Sequence, residues 1–218
     1  MSVISQPEVL GQTTRRRVIG MTAAACTTGI EALAVGTWFL LVVLETRTAA
    51  TALAGVGVLF CGSLLRASIF GATTSELGDI LEPRRLCTAV FVTAGWVLWL
   101  LVAESIGGVA GVLAGGVVLV GTLLIHFSLE RRVFHGSRPS HGGPRVRCGV
   151  VPAVLIALGA TALLSSVWFV DWSFVSPPIS LEVTRFVLRL EAVQIGFVLF
   201  GFVTFLAYQL RFTTTLES

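Results

Sequence analysis

The sequence predicts an all-α membrane protein, a polytopic bundle of six transmembrane helices with both termini cytoplasmic and a short external interfacial helix. Three observations predict it. First, the 218-residue chain is 55% hydrophobic and only 12% charged, against roughly a quarter charged in soluble domains, and its mean hydropathy is +0.90. Second, six apolar runs lie at about 18–44, 51–71, 88–104, 108–129, 149–170 and 190–210, near the roughly 20 residues that cross a bilayer core of about 30 Å. Third, the arginines are distributed unevenly between the two sets of connections.

Arg15, Arg16 and Arg17 precede the first run, Arg84 and Arg85 separate the second from the third, and Arg131, Arg132, Arg138, Arg145 and Arg147 separate the fourth from the fifth. Arg211 follows the sixth. The other side holds only Arg47, Arg185 and Arg189. By the positive-inside rule the chain has a cytoplasmic tail at 1–17, a single membrane domain at 18–211 and a cytoplasmic tail at 212–218. Trp38, Trp99, Trp168 and Trp172 all fall toward the ends assigned outside, where an interfacial aromatic belt would lie. This predicts a multi-pass protein of the cell (cytoplasmic) membrane whose cytoplasmic arginines meet anionic headgroups. A net charge of +3 at helix ends, not on a soluble face, excludes nucleic acid as a partner.

Along the chain, Thr14-Arg15-Arg16-Arg17-Val18-Ile19 followed by Cys26 looks like a twin-arginine leader with a lipoprotein-type cysteine. Apolar sequence continues to Leu44, well past the 7 to 15 residues or so of a signal core, so an uncleaved first span is expected. Between spans two and three, Glu76, Asp79 and Glu82 join Arg84 and Arg85 in a mixed-charge segment, and Gly136 to Pro144 forms a glycine- and proline-rich tether. In the fourth span Gly107, Gly111 and Gly115 make a packing stripe at four-residue spacing. The stripe suits a neighbouring span, and is also the candidate contact for a second copy of the chain or another subunit. After Pro177-Pro178, the placing of Val183, Phe186, Val187 and Leu190 opposite Glu182, Arg185 and Arg189 predicts the interfacial helix over 180–190. The four cysteines lack Cys-x-x-Cys spacing and are expected as free thiols.

Three ionisable residues fall inside the spans: Glu31, Arg66 and His126. An arginine at a helix centre costs about 2.5–3.5 kcal/mol on insertion scales, so something must offset it. Side chains lean toward the N-terminus of their own helix. Glu31 and Arg66 sit on helices of opposite direction and therefore lean toward one another. Gly62 and Ser63, one turn before Arg66, and Thr27, Thr28 and Ala34, around Glu31, give both residues small or hydroxyl-bearing faces that pack against protein. A buried Glu31–Arg66 pair is therefore expected, with Ser63, Thr122 and His126 lining a vestibule that opens to the cytoplasm.

Nothing in the sequence assigns a catalytic residue, a metal ligand set or a cofactor: there is no Walker loop, Gly-x-Ser-x-Gly or His-Glu-x-x-His, and no lysine. The function expected is of transport or channel-like type. The alternatives are a non-catalytic accessory or assembly subunit of a membrane complex, and a lipid-modifying enzyme built on the charged cytoplasmic loops.

Overall fold

The computed structural model describes residues 7–74, 83–134, 147–177, 179–181, 184–187 and 189–217. It is almost wholly helical, with α1 at Pro7–Phe39, α2 at Ala49–Thr74, α3 at Pro83–Ile106, α4 at Gly108–Phe134, α5 at Arg147–Trp168 and α6 at Ala192–Glu217. Within these lie six stretches long and apolar enough to cross a membrane: Gly20–Leu44, Ala49–Ile69, Arg85–Ile106, Gly108–Glu130, Gly149–Trp168 and Ala192–Thr213. This is a multi-pass membrane protein. The helices run past the expected limits of the spans, α1 beginning at Pro7 and α6 reaching Glu217, because a helix need not stop where its apolar sequence does. The acidic loop residues Glu76, Asp79 and Glu82 and the tether over 136–144 lie outside the described residues.

Each helix packs against its neighbours in sequence, and α6 returns against α1, so the six spans close into a ring. The end of the ring where both termini leave the spans is termed here the terminal end. At the opposite end α1 finishes in a π-helical turn, Leu40–Leu44, closed by the Glu45 N–H on the Leu40 carbonyl at 3.1 Å. Arg47, in the following turn, pairs with Glu104 near the end of α3. That hydrogen bond raises the guanidinium pKa above its ordinary value, and the pair ties the α1–α2 turn to α3.

The α3–α4 connection is a single residue, Gly107, with φ +73°, and Gly108 has φ +58°. Residues with a Cβ rarely adopt that conformation, so Gly107 is a turn residue and not part of a helical packing stripe. Gly111 and Gly115 do pack, against α3 of the same chain. A Cβ on Gly111 would run into the Ala103 carbonyl, and one on Gly115 would lie 3.0 Å from the Trp99 carbonyl. The face read as a candidate contact for another subunit is covered by α3.

The segment between α5 and α6 also departs from expectation. In place of a helix over 180–190, four short strands pair antiparallel: β1 (Ser173–Val175) with β4 (Arg189–Glu191), and β2 (Ile179–Leu181) with β3 (Thr184–Phe186). The ladders are nested, Phe174 opposite Leu190 in the outer one and Ser180 opposite Arg185 in the inner. Three residues, 176–178, separate β1 from β2 and two, 187–188, separate β3 from β4. The longer side carries Pro177-Pro178, which have no N–H to give a ladder. Ile179, Thr184 and Phe186 favour strand as much as the spacing of the apolar residues favoured helix, and period alone does not separate the two in so short a run.

The opposite-end half of the ring is filled by aromatic side chains. Trp96 and Trp99 on α3 meet edge-on with centroids 5.6 Å apart. Trp96 reaches across to Phe200 on α6 at 6.0 Å, and Trp99 to Trp38 on α1 at 6.3 Å. Trp38 and Trp99 are thus buried core residues, not members of an interfacial belt; Trp172, between α5 and β1, is exposed.

If Gly111 is a point of close approach, Gly111→Val should lower the stability of the purified protein in detergent by about 1–3 kcal/mol, as overpacking does. Gly121→Val, where no atom lies within 4 Å of the added Cβ, should leave the melting temperature nearly unchanged in the same measurement.

Candidate functional site

The terminal half of the ring is filled by ionisable side chains. Glu31 on α1, Arg66 on α2, His126 and Glu130 on α4, and Arg211 on α6 are all buried, none more than 8% exposed, and Tyr208 on α6 is fully buried with them. Leaving any such charge unpaired away from water would cost several kcal/mol. Each one is answered by another.

The meeting of Arg66 and Glu31 begins with backbone approach. Gly62, one turn before Arg66, has no side chain where a Cβ would strike Ala34, so α1 and α2 come close at this level. The Arg66 Nη1 then lies 3.3 Å from Glu31 Oε2. The same Nη1 donates to the Tyr208 hydroxyl at 2.9 Å, and that hydroxyl donates to Glu31 Oε2. Tyr208 therefore stands between the charges as acceptor from one and donor to the other, the two capacities a phenol has.

The second Arg66 nitrogen, Nη2, lies 2.6 Å from His126 Nε2. One helical turn on, Glu130 Oε1 lies 2.8 Å from that same Nε2, and Glu130 Oε2 accepts from Arg211 Nη2 at 2.7 Å. The Arg211 guanidinium also rests over the Phe127 ring, 3.9 Å from its centroid, a cation–π contact that spreads its charge onto an apolar surface. The result is one contiguous polar series across four helices: Glu31, Tyr208, Arg66, His126, Glu130 and Arg211. With His126 neutral, its two carboxylates and two guanidiniums cancel. It begins at Glu130, the last residue of its span, and ends at Glu31, eleven residues in from Gly20, about 16 Å at 1.5 Å per residue.

Beside Glu31 the series borders a small cavity of about 10 Å³, the room of about one water molecule. Glu31, Ser63, Arg66, Gly62 and Trp96 are among its walls. Trp96 separates it from the aromatic half. Two nitrogens of the series itself, Arg66 Nε and His126 Nδ1, are buried without a partner among the described residues, as are the hydroxyls of Thr27, Thr28, Thr93 and Thr204. Thr27 and Thr204 precede Glu31 and Tyr208 by one turn each.

Of the residues expected at the site, Glu31, Arg66, Ser63 and His126 come together. Thr122 does not line the cavity: its hydroxyl donates to the Leu119 carbonyl at 2.9 Å and its side chain lies against Gly95 of α3. Gly107, Gly111 and Gly115 are remote in role, shaping the α3–α4 contact. Three members escaped sequence reading. Glu130 and Arg211 look like charged helix-end anchors, and Tyr208 is the single tyrosine in an otherwise apolar run. The four-residue spacing of His126 and Glu130, and the Thr204, Tyr208, Arg211 progression along one face of α6, are the signals that mark them. Arg85, also expected as a solvated anchor, is buried at 5% exposure.

No family model, curated protein or solved structure matches the chain, so the functional reading rests on this geometry. Among the described residues no group of three histidine, cysteine or acidic side chains is placed to hold a metal, and Cys26, Cys61 and Cys87 are free and face outward.

Removing one member of the Glu130–Arg211 pair takes a buried, charge-assisted bond from the other. Glu130→Leu or Arg211→Met alone should each cost about 3–5 kcal/mol, whereas the double replacement by apolar residues should recover much of that loss. Equilibrium unfolding of the three variants in mixed micelles checks this; a double variant as unstable as the two singles summed would contradict it.

Proposed function

We propose that the chain is a transport-type membrane protein in which Glu31 is the ion-handling group and the ionisable series leads to it from the terminal end, the cytoplasmic side by the arginine distribution. One observation carries this reading: a charge-balanced, contiguous series of polar side chains runs from the rim of the bundle to mid-span through the inside of a closed helical ring, and ends at a carboxylate beside a cavity. Charged groups at that depth are costly and are found where ions or protons are handled. A series that served only to tie helices together could stop at neighbouring pairs. This one links α2 with α4 and α6 across the ring, along its axis.

The aromatic half of the ring favours a carrier over an open channel. Trp96, Trp99, Trp38 and Phe200 fill the interior beyond Glu31, so ions arriving from the terminal end meet a packed barrier. Passage then requires those rings to part, in the manner of an alternating-access carrier.

Purified protein in liposomes on a solid-supported membrane tests the reading. Concentration jumps of protons, sodium, potassium and chloride, applied one at a time, should give a transient current for one of them, lost in Glu31→Gln. Absence of current for every ion in the unaltered protein, or a current unchanged by Glu31→Gln, would overturn it.

A further inference from the structure

We infer that the species handled by this site is the proton, and that His126 is the residue that relays it between water and Glu130, exchanging its bond to Glu130 for one to Arg66 as it does so; the inference rests on the transport reading above and names its ion.

The space beside Glu31 argues for the smallest cation. A cavity of about 10 Å³ accepts about one water, not an organic substrate. A dehydrated metal cation asks for several oxygen ligands. Glu31 is already engaged by the Tyr208 hydroxyl and by Arg66, and the Arg66 guanidinium itself forms part of the cavity wall, where it repels any metal cation. An anion meets the reverse problem at Glu31. A site lined by both signs of charge suits a neutral water or a proton shared along hydrogen bonds.

The arrangement at His126 shows where the proton would change hands. Arginine nitrogens only donate and an ionised carboxylate only accepts. His126 Nε2 has one of each within bonding distance, Arg66 Nη2 at 2.6 Å and Glu130 Oε1 at 2.8 Å. A neutral imidazole satisfies them one at a time. With its hydrogen on Nε2 it donates to Glu130; with its hydrogen on Nδ1 it offers the Nε2 lone pair to Arg66. Two tautomers thus correspond to two bonding states of one site, and Nδ1, buried and without a partner among the described residues, is the position that must exchange with water in passing between them.

The transfer balances. Starting from the Nε2–H tautomer, a hydronium ion gives a proton to Nδ1 and leaves as water, the Nε2–H bond breaks, and its proton forms an O–H bond on Glu130 Oε1. The ring ends neutral with its hydrogen on Nδ1 and its Nε2 lone pair on Arg66, while Glu130, relieved of its charge, loosens from Arg211. Reversal of the same steps returns the proton. The charged and titratable groups around His126 are Arg66 from α2, Glu130 on its own helix and Arg211 and Tyr208 from α6, and Arg66 also carries its connection to Glu31.

The test uses the full chain in liposomes. A pH jump at constant sodium, potassium and chloride should produce the current, and salt jumps at constant pH should not; His126→Gln should reduce the pH-jump current at least tenfold. A current driven by sodium, potassium or chloride would overturn the proton inference while leaving the transport reading standing, and no current at all would remove both. Because a His126 variant can fail to fold, the unaltered protein gives a second readout. With ¹⁵N-labelled histidine, magnetic resonance should find His126 in both neutral tautomers, its two ring nitrogens each part protonated. One fixed tautomer, or a pH-jump current undiminished in a folded His126→Gln, would overturn the role assigned to His126.

Discussion

A guanidinium inside a bilayer needs partners within the protein to offset its burial, and Arg66 imposes that demand on most of the bundle. Its Nη1 engages Glu31 and Tyr208 and its Nη2 engages His126, so a single side chain on α2 fixes the rotational setting of α1, α4 and α6. The bonding in turn requires small residues where helices cross. Gly62 lets Ala34 of α1 approach, and Gly95 makes room for Thr122 between α3 and α4. Without a hydrophobic drive between helices in lipid, such close contacts and polar bonds are what specify one packing among many.

The interior is divided along its axis into two unlike halves. One half is held by directional, charge-assisted bonds whose geometry admits alternatives, as the double engagement of His126 Nε2 shows. The other is held by edge-on aromatic contacts among Trp96, Trp99, Trp38 and Phe200, which have no charge to satisfy and exclude water. Trp96 belongs to both, as part of the plug and as a wall of the cavity beside Glu31. Under the proposed transport reading, this shared wall is where movement of Glu31 or Arg66 would reach the aromatic half.

Much of this could be read before any coordinates. Apolar run length gave the six spans, because the bilayer sets one length for all of them, and the opposed lean of side chains on antiparallel helices brought Glu31 to Arg66. Glu130 and Arg211 were misread because a charge at a span end serves equally well as a headgroup anchor, and only tertiary packing decides whether it turns inward. Tyr208 carried no charge to draw notice. Gly107 fitted a four-residue stripe, but its positive φ places it in the turn that starts α4. The strands at 173–191 were hidden by a spacing compatible with helix, and the outer pairing, of β1 with β4, joins residues more than a dozen apart in the chain.

The central claim is that Arg66 and Glu31 act as one energetic unit inside the ring. A double-mutant cycle with Glu31→Gln and Arg66→Gln, read by reversible unfolding in mixed micelles, measures it most directly. The account predicts a coupling of about 1–3 kcal/mol, as expected for residues in one hydrogen-bonded network. Additivity of the two substitutions to within about 0.5 kcal/mol, the behaviour of independent sites, would contradict it.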